Sequence, residues 1–204
     1  MPWIVRWWWL WAAFALLAGG FTIAAADGFP IVDLELAWTV ERADDVTRGA
    51  NLDTIRSAIL WDFAFILFYA LALSTGALWA RQQFHSLAGA TVGTVVAAGG
   101  GVAGLLDVVE NLSMLGYVNG WGDWSGWIAL AGATAVPKFL LALAGVLYIV
   151  TASCCFLCTD AAPEVGFSAW GQRTGDERYR PRDTLSSAPS CVLATLLIRF
   201  ASSA

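Results

Sequence analysis

A few polar residues interrupt long apolar runs, and their types could do chemistry. Asp62 lies in one run, Asp107, Glu110 and Asn111 close a second, and Lys138 opens a third. Carboxyls and an ammonium at low dielectric can relay protons, coordinate a cation, receive a polar ligand or pair with one another. Asp107, Glu110 and Asn111 follow at i, i+3 and i+4, so a helix presents them on one face. With three carboxyls to one ammonium, at least one carboxyl is expected to keep its proton near neutral pH unless Arg56 or another cation joins. The competing reading is an ion-paired clamp that fixes helix register, and it is preferred.

The surrounding chain says what must position these groups. Of 204 residues 58% are hydrophobic and 13% charged, with twelve Trp, and mean hydropathy is +0.65; soluble domains carry about 25% charged residues. A soluble enzyme and a disordered chain are excluded. Net charge of −5 and four Cys also exclude a basic nucleic-acid binder and a disulfide framework. An integral membrane protein remains.

A hydrocarbon core about 30 Å thick needs about 20 apolar residues as helix. Four segments qualify, at about 7–26, 58–80, 87–112 and within 126–157, predicting an all-α, four-span helical bundle. Pro137 divides the fourth. Either that helix kinks at Pro137, or the span begins near Val136 and ends near 157, with Pro137 in its first turn; the second is preferred. Seven of the eleven basic residues (Arg6, Arg81, Arg173, Arg178, Arg180, Arg182 and Arg199) fall on one side. Both termini are therefore expected in the cytoplasm. A cleaved signal peptide ending at Ala24-Ala25-Ala26 is the alternative for the first segment, but its apolar run is long for one.

On this topology Asp62 lies roughly 7 Å inside the outer end of span two and Asp107 about 30 Å up span three, while Lys138 starts span four. Asp62, Asp107, Glu110, Asn111 and Lys138 are thus expected in one outer-leaflet layer. Trp61, Tyr69, Trp121, Trp124 and Trp127 surround it as an aromatic belt. Gly89, Gly93, Ala97 and Gly101 form an i, i+4 ridge of small residues, supplemented by Gly100 and Gly104, for close packing within the bundle or in a dimer. In the 27–57 loop, Leu36, Val40 and Ala43 recur at helical spacing. An interfacial amphipathic helix is expected over about 33–48, capped by Asp33. Residues 159–204 read as a flexible cytoplasmic tail, with an apolar stretch at Cys191 to Phe200.

Four short motifs carry a resemblance. Glu35-Leu36-Ala37, then Asp62-Phe63 with Phe65 and Tyr69, then Asp107 with Glu110-Asn111, then Lys138-Phe139 can be written ELA, DFxFxxxY, DxxEN and KF. Over about residues 30–150 the chain resembles a family of bacterial four-span membrane proteins with no established activity. The resemblance implies the same architecture in a bacterial inner membrane, adds Glu35 to the cluster, and names no reaction.

Other constellations fail on context. Cys155-Phe-Leu-Cys158 has no second pair and no neighbouring His, the lone His85 cannot form a bis-His haem site, and the Gly99–Gly104 run lacks the strand a phosphate loop requires. No cofactor and no enzymatic activity are expected. The leading reading is a small structural or accessory subunit that binds a membrane partner, in a larger complex or a homo-oligomer, with the bilayer as its other contact. A small-solute or proton-coupled transporter is the alternative, and an enzyme acting on lipid is third.

Overall fold

The computed structural model describes residues 3–84, 86–122 and 124–160, with a unit over 1–152 and a separate one from 153 on. His85, the side chain of Cys158 and residues 161–204 lie outside the described residues. So does the expectation of a flexible tail. The fold is all-α. After a short α1 (Trp3–Arg6) come α2 (Trp8–Ala26), α3 (Ile31–Glu35), α4 (Val40–Thr47), α5 (Leu52–Ala80), a 3-10 turn at Arg81–Gln83, α6 (Leu87–Val118) and α7 (Trp124–Asp160). Helices α2, α5, α6 and α7 are each long and apolar enough to cross a membrane.

Three of the four run further than the sequence reading places them. Helix α5 starts at Leu52 because the Asn51 side chain accepts from the Asp53 N–H and caps it, and Arg56 pairs with Asp53 one turn on. Helix α6 continues beyond Leu112 to Val118. These turns are polar enough to escape a hydropathy criterion. They remain helical because backbone groups near lipid must bond within the segment.

The same rule corrects span four. Helix α7 does not begin near Val136 but passes through Pro137 unbroken from Trp124. The stretch before Pro137 is packed, with Ile128, Ala131 and Ala135 buried and Trp127 seated against Gly116 of α6. Unwinding it would strand a turn of buried backbone, whereas Pro137 removes a single donor.

The expected single helix over 33–48 is two short ones. The chain breaks at Trp38, which takes a left-handed conformation (φ 56°). Asp33 does not cap; instead Thr39 accepts from the Arg42 N–H at the start of α4. The buried residues are Leu34, Glu35, Ala37 and Ala43, whereas Leu36 faces out. A bulky residue rarely adopts positive φ. Here the Trp38 ring lies on Gly132 of α7, where a Cβ would stand 2.8 Å from the ring. The Tyr117 hydroxyl donates to Asp44 at 2.6 Å, tying α4 to α6.

Two apolar clusters build the interior. One, at the end carrying α3 and α4, joins Leu34, Ile55, Ile59, Met114, Ile128 and Ala131. The other joins Leu73, Ala77, Ala97, Tyr148, Ile149 and Ala152. On α5, α6 and α7 alike, the polar residues fall between the two.

The small-residue ridge packs inside this chain, though not along the predicted line. Gly89, Gly93, Ala97, Gly100 and Gly104 are buried, and Gly101 is not. Steps of four overshoot a helical turn by roughly 40° each, so Gly101 has rotated away while Gly100 returns to within about 20° of Gly89. A Cβ at Gly104 would stand 2.7 Å from the Ala70 Cβ of α5, whereas at Gly101 it would meet only the Ser74 hydroxyl, 4.0 Å away. Thermal unfolding in detergent should therefore separate the two positions. Gly104→Ala is expected to destabilise by about 1–3 kcal/mol through overpacking, and Gly101→Ala to be neutral or to stabilise by up to about 1 kcal/mol.

Candidate functional site

The structure brings the predicted polar residues into one layer, most of them in a network centred on Lys138. Its ammonium, with three donors, contacts three carboxylates: Asp107 Oδ1 at 2.7 Å, Glu110 Oε1 at 2.8 Å and Glu35 Oε2 at 3.4 Å. The Tyr69 hydroxyl donates to the other oxygen of Asp107 at 2.8 Å, and the Asn111 amide donates to Asp62 Oδ2 at 2.8 Å. Lys138, Glu35, Asp107, Glu110 and Tyr69 thus form one connected set across α3, α5, α6 and α7, and the Asn111–Asp62 pair lies beside it as a separate bond between α6 and α5.

Local structure explains each placement. Asp107, Glu110 and Asn111 share a face of α6, so one face meets both Lys138 of α7 and Asp62 of α5. Tyr69 lies two turns from Asp62 on α5 and reaches the same carboxylate that Lys138 holds. Glu35 ends α3, and the turn at Trp38 lets it enter the bundle instead of lying on the surface. Burial pushes the Glu35 carboxyl above the ordinary carboxylate range, against the lowering effect of Lys138.

Arg56 does not join. It donates to Asp53 and to Asn119 at the rim of the bundle, so the cluster keeps four carboxyls to one ammonium. Two buried acceptors within it, Glu110 Oε2 and Asn111 Oδ1, have no hydrogen-bond partner among the described residues. The depth also differs from expectation. Because α5 begins at Leu52, Asp62 lies roughly 15 Å from its start, and Lys138 lies roughly 21 Å along α7, so the layer is well inside the helices.

The centre of the three carboxylates, where a metal ion could sit, is filled by the ammonium itself. No group of three or more candidate metal ligands is set for an ion among the described residues.

Beside the network lies a crevice of about 540 Å³, lined by residues of α2, α3, α5, α6 and α7. Its polar wall is Glu35, Asp62, Tyr69, Asp107 and Lys138, and the remaining lining is apolar apart from Thr22. Leu16, Gly20, Ile23, Val32 and Phe139 line it while also facing outward, so it opens sideways toward lipid. The sequence reading quoted Phe65 and Phe139 as motif residues without placing them at a crevice, and it missed every α2 residue here. The adjacent Gly19-Gly20, the two glycines of that span, was the available signal. The predicted aromatic belt divides: Trp61 stacks on Phe21 of α2, Trp121 and Trp124 are exposed, and Trp127 covers Gly116.

The network makes a prediction about single and combined neutralisation. Lys138→Met alone leaves three buried carboxylates without their cation and should destabilise the protein in detergent by about 3–5 kcal/mol. Combining it with Glu35→Gln, Asp107→Asn and Glu110→Gln should restore much of that loss, since neutralising all three partners of Lys138 leaves none of them as an unpaired charge. A combined variant less stable than Lys138→Met would contradict the pairing.

Comparison with family models, curated proteins and solved structures finds no match for this chain.

Proposed function

We propose that this protein is a non-enzymatic membrane subunit whose buried network is a structural clamp, holding four helical elements in register while the outward faces meet lipid and a partner. One observation carries the reading: the donors of Lys138, the hydroxyl of Tyr69 and both oxygens of Asp107 are engaged with one another. A lysine held by three carboxylates has no free donor for a substrate and is a poor proton donor. The residues of the ELA, DFxFxxxY, DxxEN and KF motifs supply this network, which supports family likeness as a matter of architecture. With four carboxyls and one ammonium, the clamp retains at least one proton. The Arg distribution supports both termini in the cytoplasm, and the family likeness supports a bacterial inner membrane.

Gentle extraction with a nonionic detergent, followed by size-exclusion chromatography and mass spectrometry, tests the subunit reading. A complex larger than a homodimer, carrying a second membrane protein in fixed ratio, is the expected outcome. Recovery as a monodisperse monomer or homodimer overturns it.

A second reading, transport of a small solute or protons through the same groups, is favoured by the crevice that reaches Asp62 and Glu35. Proteoliposomes loaded with a pH-sensitive dye decide it. Proton flux above that of protein-free vesicles, lost in Asp62→Asn, supports transport, and flux equal to the protein-free control removes it.

A further inference from the structure

We propose that the lateral crevice binds a lipophilic cation: an amphiphile or aromatic molecule whose positive centre pairs with Asp62 and whose body lies in the apolar part of the groove. This rests on the crevice alone and stands apart from both readings above.

Tracing each polar atom singles out Asp62. Both Asp107 oxygens are engaged, one by Lys138 and one by Tyr69. The Lys138 ammonium is shared among three carboxylates. Asp62 Oδ2 accepts from Asn111, and Oδ1 takes no hydrogen bond among the described residues. Unlike wholly buried Glu110 and Asn111, Asp62 is only partly buried, and it lines the crevice. The groove therefore presents a carboxylate with an open oxygen and no cation of its own.

The sign of the site follows. Glu35, Asp62 and Asp107 line it against one committed ammonium, and Arg56 is engaged at the rim. A phosphate or carboxylate head would meet net negative charge. An ammonium or phosphonium head would complete a pair, offsetting the cost of an isolated carboxylate at membrane depth. The rest of the lining suits such a molecule. Phe65 and Tyr69 bring aromatic rings, which attract cations, to the lining, while the Phe139 ring already lies 4.8 Å from the Lys138 ammonium, and Leu16 and Ile23 offer apolar surface. The volume of about 540 Å³ falls within the range of small-molecule pockets, about 300–1,000 Å³. Outward-facing Leu16, Gly20 and Ile23 place the entrance on the lipid side, so the ligand arrives from the bilayer.

The test uses the full chain in phosphatidylcholine nanodiscs and radiolabelled tetraphenylphosphonium, with empty discs as the blank. Saturable binding is expected, displaced by decyltrimethylammonium and not by decyl maltoside, which has the same chain and a neutral head. Asp62→Asn should weaken it at least tenfold. Gly20→Leu supplies a second arm independent of the charge network: a Cβ there meets nothing within 4 Å, so the variant should fold normally while filling the groove, and should also weaken binding at least tenfold. Should Asp62→Asn fail to fold, Gly20→Leu decides. Uptake no greater than in empty discs, equal displacement by decyl maltoside, or full binding by folded Gly20→Leu would each overturn the proposal.

Discussion

The ammonium of Lys138 is the constraint on which the rest of the bundle depends. An ammonium between two apolar clusters has no water to turn to, so its partners must come from the protein. Two stand on α6 and one at the end of α3. Satisfying them fixes the register of α7 against α6, since a slip of one residue would swing Lys138 about 100° away from its partners. It also requires α3 to enter the bundle. The left-handed turn at Trp38 and the shallow seat that Gly132 offers its ring follow from that entry.

Short contacts between side chains on different helices also need backbones that lie close. Helix α6 meets this with two kinds of surface along one length. Its first half is lined by Gly89, Gly93, Ala97, Gly100 and Gly104, which let Ala70, Leu73 and Tyr148 approach the backbone. Tyr148 comes near enough to donate to the Gly89 carbonyl at 3.0 Å. The second half carries Asp107, Glu110 and Asn111. In lipid, where burial of apolar surface gives helices little drive to associate, close packing and internal polar bonds are the two forces left, and α6 uses them in sequence.

How much of this could be read from the chain depends on the kind of signal each feature leaves. A charge in an apolar run is conspicuous whatever surrounds it, so Asp62, Asp107, Glu110, Asn111 and Lys138 announce themselves and their convergence follows from helical rise. Helix ends do not. Hydropathy marks the part of a helix that lipid must solvate, and the turns from Leu52 and up to Val118 are helical for backbone reasons that hydropathy does not register. The break at Trp38 has no local signature, because it depends on a glycine far along the chain. Periodicity found the small-residue face of α6 and misassigned its last member, since an i, i+4 rule ignores the drift of a real helix. The crevice was illegible for another reason: its α2 lining looks like any lipid-facing residue until the neighbouring helices are in place.

Helix α2 is held differently from the others. Ala15, Ala18 and Thr22 let it lie close to the bundle, and ring pairs such as Trp8–Trp79, Phe14–Phe68 and Phe21–Trp61 fasten it to α5. Among the described residues it makes no side-chain hydrogen bond or ion pair to another helix; Thr22 bonds back to the Ala18 carbonyl of its own helix. Moving α2 therefore breaks dispersion contacts that lipid chains replace, whereas moving α6 or α7 would expose an unpaired charge. The crevice lies along this apolar-packed helix and is bounded on its other side by the charge-locked ones. One wall is thus a surface that lipid chains can match and the other a polar face fixed by Asp62 and its neighbours, which is the arrangement a polar site reached from the bilayer requires.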